Sequence, residues 1–150
     1  MNNENLKLIK PDPQDWAILE QAASIDKLAF QEDGISVFNL SQFTRCGSLF
    51  CLIDEARQVV GEAVVFKNLE NQGAVVFALS VKPDLRGKGY GTKLLGLVIE
   101  ECREAGLEYL ELTMNPEDVA ARTVYMDRHD FYKAATLAIH PEKNEPRWLV

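Results

Sequence analysis

The sequence predicts an α/β fold of the α+β kind: a mixed, mostly antiparallel sheet flanked by helices, with one parallel strand pair. Apolar segments at 49–53, 59–66 and 74–81 follow one another across short polar turns, the pattern of an antiparallel meander. The third segment, Ala-Val-Val-Phe-Ala-Leu-Ser-Val, is apolar on both faces and belongs at the centre of the sheet, covered on each side. A helix and a further strand at 107–113 follow it, and a right-handed strand–helix–strand crossover places that strand parallel to the central one.

The remaining elements are read in order. Leu6-Lys7-Leu8-Ile9 alternates like a short strand. At Asp12-Pro13-Gln14-Asp15 an N-cap acceptor, a proline at the first helical position and an early carboxylate coincide, so a helix is expected to start there. Ile18, Leu19, Ala22, Ala23, Ile25, Ala29 and Phe30 keep near-helical spacing until Asp33-Gly34 breaks it. A shorter helix is expected over 36–46, with Val37, Leu40 and Phe43 as its inner stripe and Gly47 as its stop. The helix after the central strand keeps Leu94, Leu95, Leu97, Val98, Ile99 and Cys102 on one side up to Gly106. Asn115-Pro116-Glu117-Asp118 repeats the cap-and-proline pattern and predicts a helix reaching Arg128. A hairpin of 132–139 and 147–150 closes the chain, with no internal repeat or low-complexity linker.

The chain has 150 residues, 47% of them apolar, which suits one domain over 1–150 with a core that needs neither disulfide nor metal. Its formal net charge of −7 argues against nucleic acid or an anionic membrane as partner and favours cationic ones. Cys46, Cys51 and Cys102 sit in apolar-looking stretches without Cys-x-x-Cys spacing, and Cys51 and Cys102 read as buried, unactivated thiols. That usage, an N-terminus without a basic or apolar leader and the lack of an 18-residue apolar run point to the cytoplasm. His129 and His140 have no metal spacing with each other or with cysteine, so no metal is expected.

The chemistry concentrates in Arg86-Gly87-Lys88-Gly89-Tyr90-Gly91-Thr92, between the central strand and the next helix. Three alternating glycines strip side chains from the backbone, letting its N–H groups approach an anion while the helix N-terminus adds its dipole. Residues 82–93 carry +3, from Lys82, Arg86, Lys88 and Lys93 against Asp84, in a chain whose remainder carries −10. A Walker loop is excluded because no lysine-threonine pair follows a glycine, and a dinucleotide loop because its third glycine would fall on Thr92.

Residues 81–91, Val-Lys-Pro-Asp-Leu-Arg-Gly-Lys-Gly-Tyr-Gly, closely resemble the acetyl-coenzyme A signature Arg/Gln-x-x-Gly-x-Gly/Ala of the GNAT family of N-acetyltransferases. Asn115, Ala121 and Tyr125 followed by Phe131 resemble that family's second block, with Asp130 where the family commonly has glycine. Aspartate tolerates a left-handed backbone better than most residues, so a strained but workable helix exit is expected there.

The resemblance implies an enzyme that transfers acetyl directly from acetyl-coenzyme A to a primary amine, on a small molecule or a peptide, with no covalent enzyme intermediate. It places pyrophosphate on Arg86, Gly87, Lys88, Gly89, Tyr90, Gly91 and Thr92, with Asn115 bordering the cofactor. It pairs the pantetheine arm with the strand near Leu79 and Val81, whose splaying from the parallel neighbour at a β-bulge would open the slot. Val81 N–H would donate to the thioester carbonyl, and Tyr125 would act as general acid to the departing thiolate. Relatives often carry a carboxylate base where this chain has Phe77 and Ala78, which leaves a water chain or a carboxylate from another element to serve, with Glu32, Asp33, Glu62 and Glu111 as candidates. A non-catalytic acyl-coenzyme A sensor or interaction module is the alternative, and the oligomeric state stays open, a homodimer included.

Overall fold

A computed structural model describes residues 5–137 and 147–150. Strands β1 (Lys7–Ile9), β2 (Leu49–Ile53), β3 (Val59–Lys67), β4 (Gly73–Val81) and β5 (Tyr109–Glu111) form one sheet in sequence order. The first four are antiparallel, and β5 lies parallel to β4, as the crossover rule requires. Helices α1 (Trp16–Phe30) and α2 (Val37–Thr44) contribute Ile18, Leu19, Ala22 and Leu40 to a core on one face of the sheet. On the other face, α3 (Tyr90–Glu104) buries Leu94, Leu95 and Val98 against Leu52, Val60 and Val65. Ser36 caps α2 through Asn39 N–H, and Gly47 follows that helix with φ +67°, as its stop role requires.

Both Asx-Pro motifs act differently from the prediction. Asp12 and Asn115 are not caps: their side chains accept the N–H of Gln14 and Glu117 in turns that precede each helix. The caps are Asp15, accepting from Ile18 N–H, and Asp118, accepting from Ala121 N–H. The proline sets the turn geometry one step upstream, so each helix starts three residues later than a proline-at-N1 reading places it.

The 107–113 strand is divided. β5 pairs with β4 only over Gly73–Val75, and at Leu112 the backbone turns to exchange hydrogen bonds with Val150 (3.0 and 2.9 Å). Thr113–Met114 (β6) then pairs with Arg147–Leu149 (β8), which pairs with Ala135–Leu137 (β7) in a second, three-stranded sheet. The first strand of the closing hairpin starts at Ala135 rather than at Tyr132, and the expected positions 138 and 139, with His140, lie outside the described residues.

The predicted bulge is on β4. Val64 faces Ala78 and Val65 faces Val76, so Phe77 is the extra residue. Beyond it β4 diverges from β5, and among the described residues no strand pairs with Leu79–Val81 on that side. The helix expected up to Arg128 is one turn of α4 (Val119–Arg122) followed by a π turn over Thr123–Arg128. A π turn inside a helix is a frequent marker of functional sites.

Candidate active site

The divergence of β4 and β5 opens a cleft of 740 Å³, walled by the end of β4, the loop into α3, and the α4–π segment. Leu79, Val81, Arg86, Gly87, Gly89, Tyr90, Gly91, Thr92 and Tyr125 all line it. Lys88 and Asn115 do not: Lys88 is exposed outside it, and Asn115 is engaged in its own turn.

Backbone directions follow from register. Lys82 N–H bonds the Val60 carbonyl at 2.8 Å, so Lys82 and, two residues back, Ser80 are the hydrogen-bonded positions against β3. Leu79 and Val81 therefore turn their N–H and C=O groups the other way, toward the gap that β5 leaves. Arg86 Nε donates to the Val81 carbonyl at 3.2 Å, tying the loop to the strand end.

The loop's glycines divide by role. Gly87 and Gly89 have φ of +77° and +84°, values that L side chains rarely adopt, and a Cβ at either would meet nothing within 4 Å. Backbone conformation, not space, requires them. Gly91 sits in the first turn of α3, where a Cβ would touch Val124 and Val81 at 3.5 and 3.7 Å. Asp15, Ser36 and Asp118 cap the other three α-helices with side chains, whereas α3 starts at Gly89 with no side-chain cap and no acidic residue in its first turn. The first-turn amides of Gly91 and Thr92 have no carbonyl to reach within the helix and carry the positive end of its dipole. Tyr90 contributes backbone only, since its side chain is buried in the core.

Sequence counting placed four cations around the loop, but only Arg86 lines the cleft. A second, Arg128, arrives from the π turn and was missed because it lies far along the chain. His129 locks that turn to α3: its Nε2 donates to the Thr92 carbonyl at 2.8 Å.

Tyr125 is buried, edge-on to Phe131 at 5.5 Å between ring centroids. Burial, then the charges of Glu62 and Asp118, push its hydroxyl above the ordinary range, so it stays protonated at neutral pH. Asp130, in the glycine position of the resemblance, has φ +58°, the left-handed exit the sequence predicts.

The carboxylate candidates separate clearly. Glu32 and Asp33 are exposed on a short 3₁₀ turn after α1, Glu111 is half-buried on β5, and none lines the cleft. Glu62 is fully buried beneath α1, where Ser80 Oγ donates to its Oε1 at 2.5 Å. Sequence reasoning missed its neighbour Asp26, equally buried, whose Oδ2 accepts Ile35 N–H at 2.5 Å. Cys51 faces Glu62 across β2 and β3, and burial followed by that carboxylate raises its thiol. Cys102 is buried and raised as well, whereas Cys46 is exposed, against the expectation that it sits in an apolar stretch. Among the described residues no group of three or more His, Cys, Asp or Glu is placed to hold a metal ion. No helix among them is long and apolar enough to cross a membrane.

Comparison with known proteins agrees with this architecture. The Acetyltransferase (GNAT) family model matches residues 12–131. Among solved structures, Ard1 from Thermoplasma volcanium superposes with a TM-score of 0.80 at 18% identity, over 97% of this chain and 95% of that one. The ribosomal-protein-S5-alanine acetyltransferase from Vibrio fischeri gives 0.79 at 15% identity, over 99% and 93%. The ribosomal-protein-S18-alanine N-acetyltransferase from Escherichia coli gives 0.72 at 18%, over 96% and 90%. A search of curated proteins by sequence found no match. With the family match spanning most of the chain and the overall fold shared with these structures, the chain belongs to the GNAT family of acetyltransferases.

Proposed function

We propose that the protein is a single-domain, acetyl-coenzyme A dependent N-acetyltransferase that acts on a primary amine in the cytoplasm. The observation that carries this reading is the meeting, in one cleft, of an uncapped α3 N-terminus, Arg86, the unpaired edge of β4 and Tyr125. The residues fit such a cosubstrate. The Gly87–Thr92 amides with Arg86 and Arg128 suit a pyrophosphate, and the Leu79 and Val81 backbone suits a pantetheine amide chain.

Acetyl-coenzyme A supplies an acyl thioester, the activated acetyl donor. The chain's own groups supply orientation and proton handling. Val81 N–H faces the gap and holds the acyl carbonyl, a contact that strengthens as negative charge builds on oxygen. Tyr125, kept protonated by burial, hands its phenolic proton to the departing sulfur and regains one from the nitrogen that forms the amide. Leu79, Leu85 and Val124 exclude water from the reacting end.

The acceptor is proposed to be a peptide amine or a small cationic amine, consistent with the net charge of −7. A non-catalytic acyl-coenzyme A sensor is the second reading, favoured by the apolar Phe77 and Ala78 on β4. Calorimetric titration with acetyl-coenzyme A, with free coenzyme A and ATP as controls, tests the cofactor. Saturable micromolar binding of the coenzyme A forms alone is expected, and no binding at millimolar ligand would overturn the reading. Thiol release with an alanine-terminated peptide, a polyamine and free lysine then separates enzyme from sensor.

A further inference from the structure

Asp26 on α1 and Glu62 on β3 are both fully buried, and each has one oxygen without a partner: Asp26 Oδ1 and Glu62 Oε2. The two side chains are within hydrogen-bond reach of each other. Two ionised carboxylates cannot satisfy those oxygens, since both are acceptors only, but a single proton between them satisfies both. The outer bonds are in place, Ser80 Oγ–H to Glu62 Oε1 and Ile35 N–H to Asp26 Oδ2, and a proton shared by the two remaining oxygens, Glu62 Oε2 and Asp26 Oδ1, would close the network. One end of this chain, Ser80, lines the cleft beside Ala29 and Phe30 of α1. The other end holds Ile35, buried in the loop between α1 and α2 immediately after Gly34.

We propose that Ser80, Glu62 and Asp26 form a buried proton relay that deprotonates the acceptor amine, replacing the strand carboxylate that β4 lacks. The proposal rests on the acetyltransferase reading above. The amine arrives as an ammonium, whose pKa of about 10 leaves little free base at neutral pH. Its N–H bond breaks as the proton passes to Ser80 Oγ. The Ser80 proton moves to Glu62 Oε1, and the proton on Glu62 Oε2 moves to Asp26 Oδ1. The nitrogen lone pair is released for attack, Ser80 is restored, and one added proton resides on the carboxyl pair. It returns to solvent through Ser80 after the product leaves, so nothing is oxidised or reduced.

The surroundings suit a site that holds protons. Glu62 is raised well above the ordinary carboxylate range, by burial first and by Asp26 second, and Asp26 is raised by burial. The other titratable groups that act on the pair or its neighbours are Cys51 from β2, Tyr125 from the π turn and, farther off, Asp15 at the start of α1. None of these is a cation, so among the described residues the negative charge that the pair retains has no fixed counter-ion there and can attract an ammonium.

The test is the pH profile of kcat/KM for the fastest amine of the panel, with wild type, Glu62→Gln, Asp26→Asn and Ser80→Ala. Calorimetry of acetyl-coenzyme A binding is run alongside. Glu62→Gln should lose about 10²-fold or more near neutral pH and recover as pH approaches that of the free amine, with cofactor affinity unchanged. Ser80→Ala, which leaves the buried pair in place, should show the same pH-dependent deficit and serves where Glu62→Gln fails to fold. Wild-type rates in folded Glu62→Gln, or a deficit constant across pH, would overturn the relay while leaving the acetyltransferase reading intact. Wild-type protein that binds acetyl-coenzyme A but acetylates no amine would overturn both.

Discussion

Asp130 leaves the π turn at φ +58°, where an L residue is strained and aspartate is one of the few that tolerate it. Asp130→Gly removes the strain but loosens the unfolded chain, so it should be neutral to about 1 kcal/mol stabilising. Asp130→Val, β-branched at the same φ, should cost about 1–2 kcal/mol. Urea unfolding of the three proteins checks the order, and Val equal to Asp would show that the turn relaxes. Tyr125 offers a separable test. Tyr125→Phe keeps the ring that packs on Phe131, so cofactor affinity should hold while kcat falls about tenfold, a modest loss because a thiolate with a parent pKa of about 8.5 departs readily. Lost cofactor binding in that variant would make Tyr125 a structural residue.

The loop between β4 and α3 joins local conformation to binding. Its positive-φ glycines let the chain turn sharply into a helix that no side chain caps, and Arg86 pins this turn to the end of the strand. Arg86→Glu places a carboxylate against the phosphates and breaks the bond to the Val81 carbonyl. Acetyl-coenzyme A affinity should drop on the order of 100-fold by calorimetry. Unchanged affinity would move the phosphate site elsewhere. The strands of this region were legible because their apolar runs and polar turns are local. The helix starts were not, because Asx-Pro-x-Asp can be read as a cap followed by proline or as a turn followed by a cap. Only the backbone path distinguishes Asp12 from Asp15 and Asn115 from Asp118.

Across the whole molecule, the buried carboxyl pair ties stability to pH. In the unfolded chain Glu62 titrates near 4.3, whereas in the fold its proton is held well above that range by burial and Asp26. Between those values the folded state keeps a proton that the unfolded chain has lost. This contribution to stability is therefore complete below about pH 4 and declines as pH rises through the window. Glu62→Gln, an isostere that can accept from Ser80 and donate to Asp26, removes the decline. Its melting temperature should exceed that of wild type at alkaline pH, with the gap narrowing toward pH 4. A gap independent of pH would show that Glu62 is ionised in the fold.

Periodicity, turn chemistry and the glycine spacing of 86–92 were enough to place the meander, the crossover and the loop, because each depends on residues close together in the chain. Cation counting around that loop named Lys82, Lys88 and Lys93, yet the second arginine of the cleft is Arg128, brought in by a π turn that no short pattern announces. Glu62 stood among several carboxylates with nothing to single it out, and Asp26 drew no notice, because a polar residue inside an apolar helical pattern reads as an exposed position. Packing α1 on β3 removes both groups from water; Ser80 and Ile35 each satisfy one oxygen, and among the described residues Asp26 Oδ1 and Glu62 Oε2 have no other hydrogen-bond donor. Burial and proximity between distant segments are properties of the folded chain, so the buried pair emerged with the fold, whereas the loop was already written in the order of its residues.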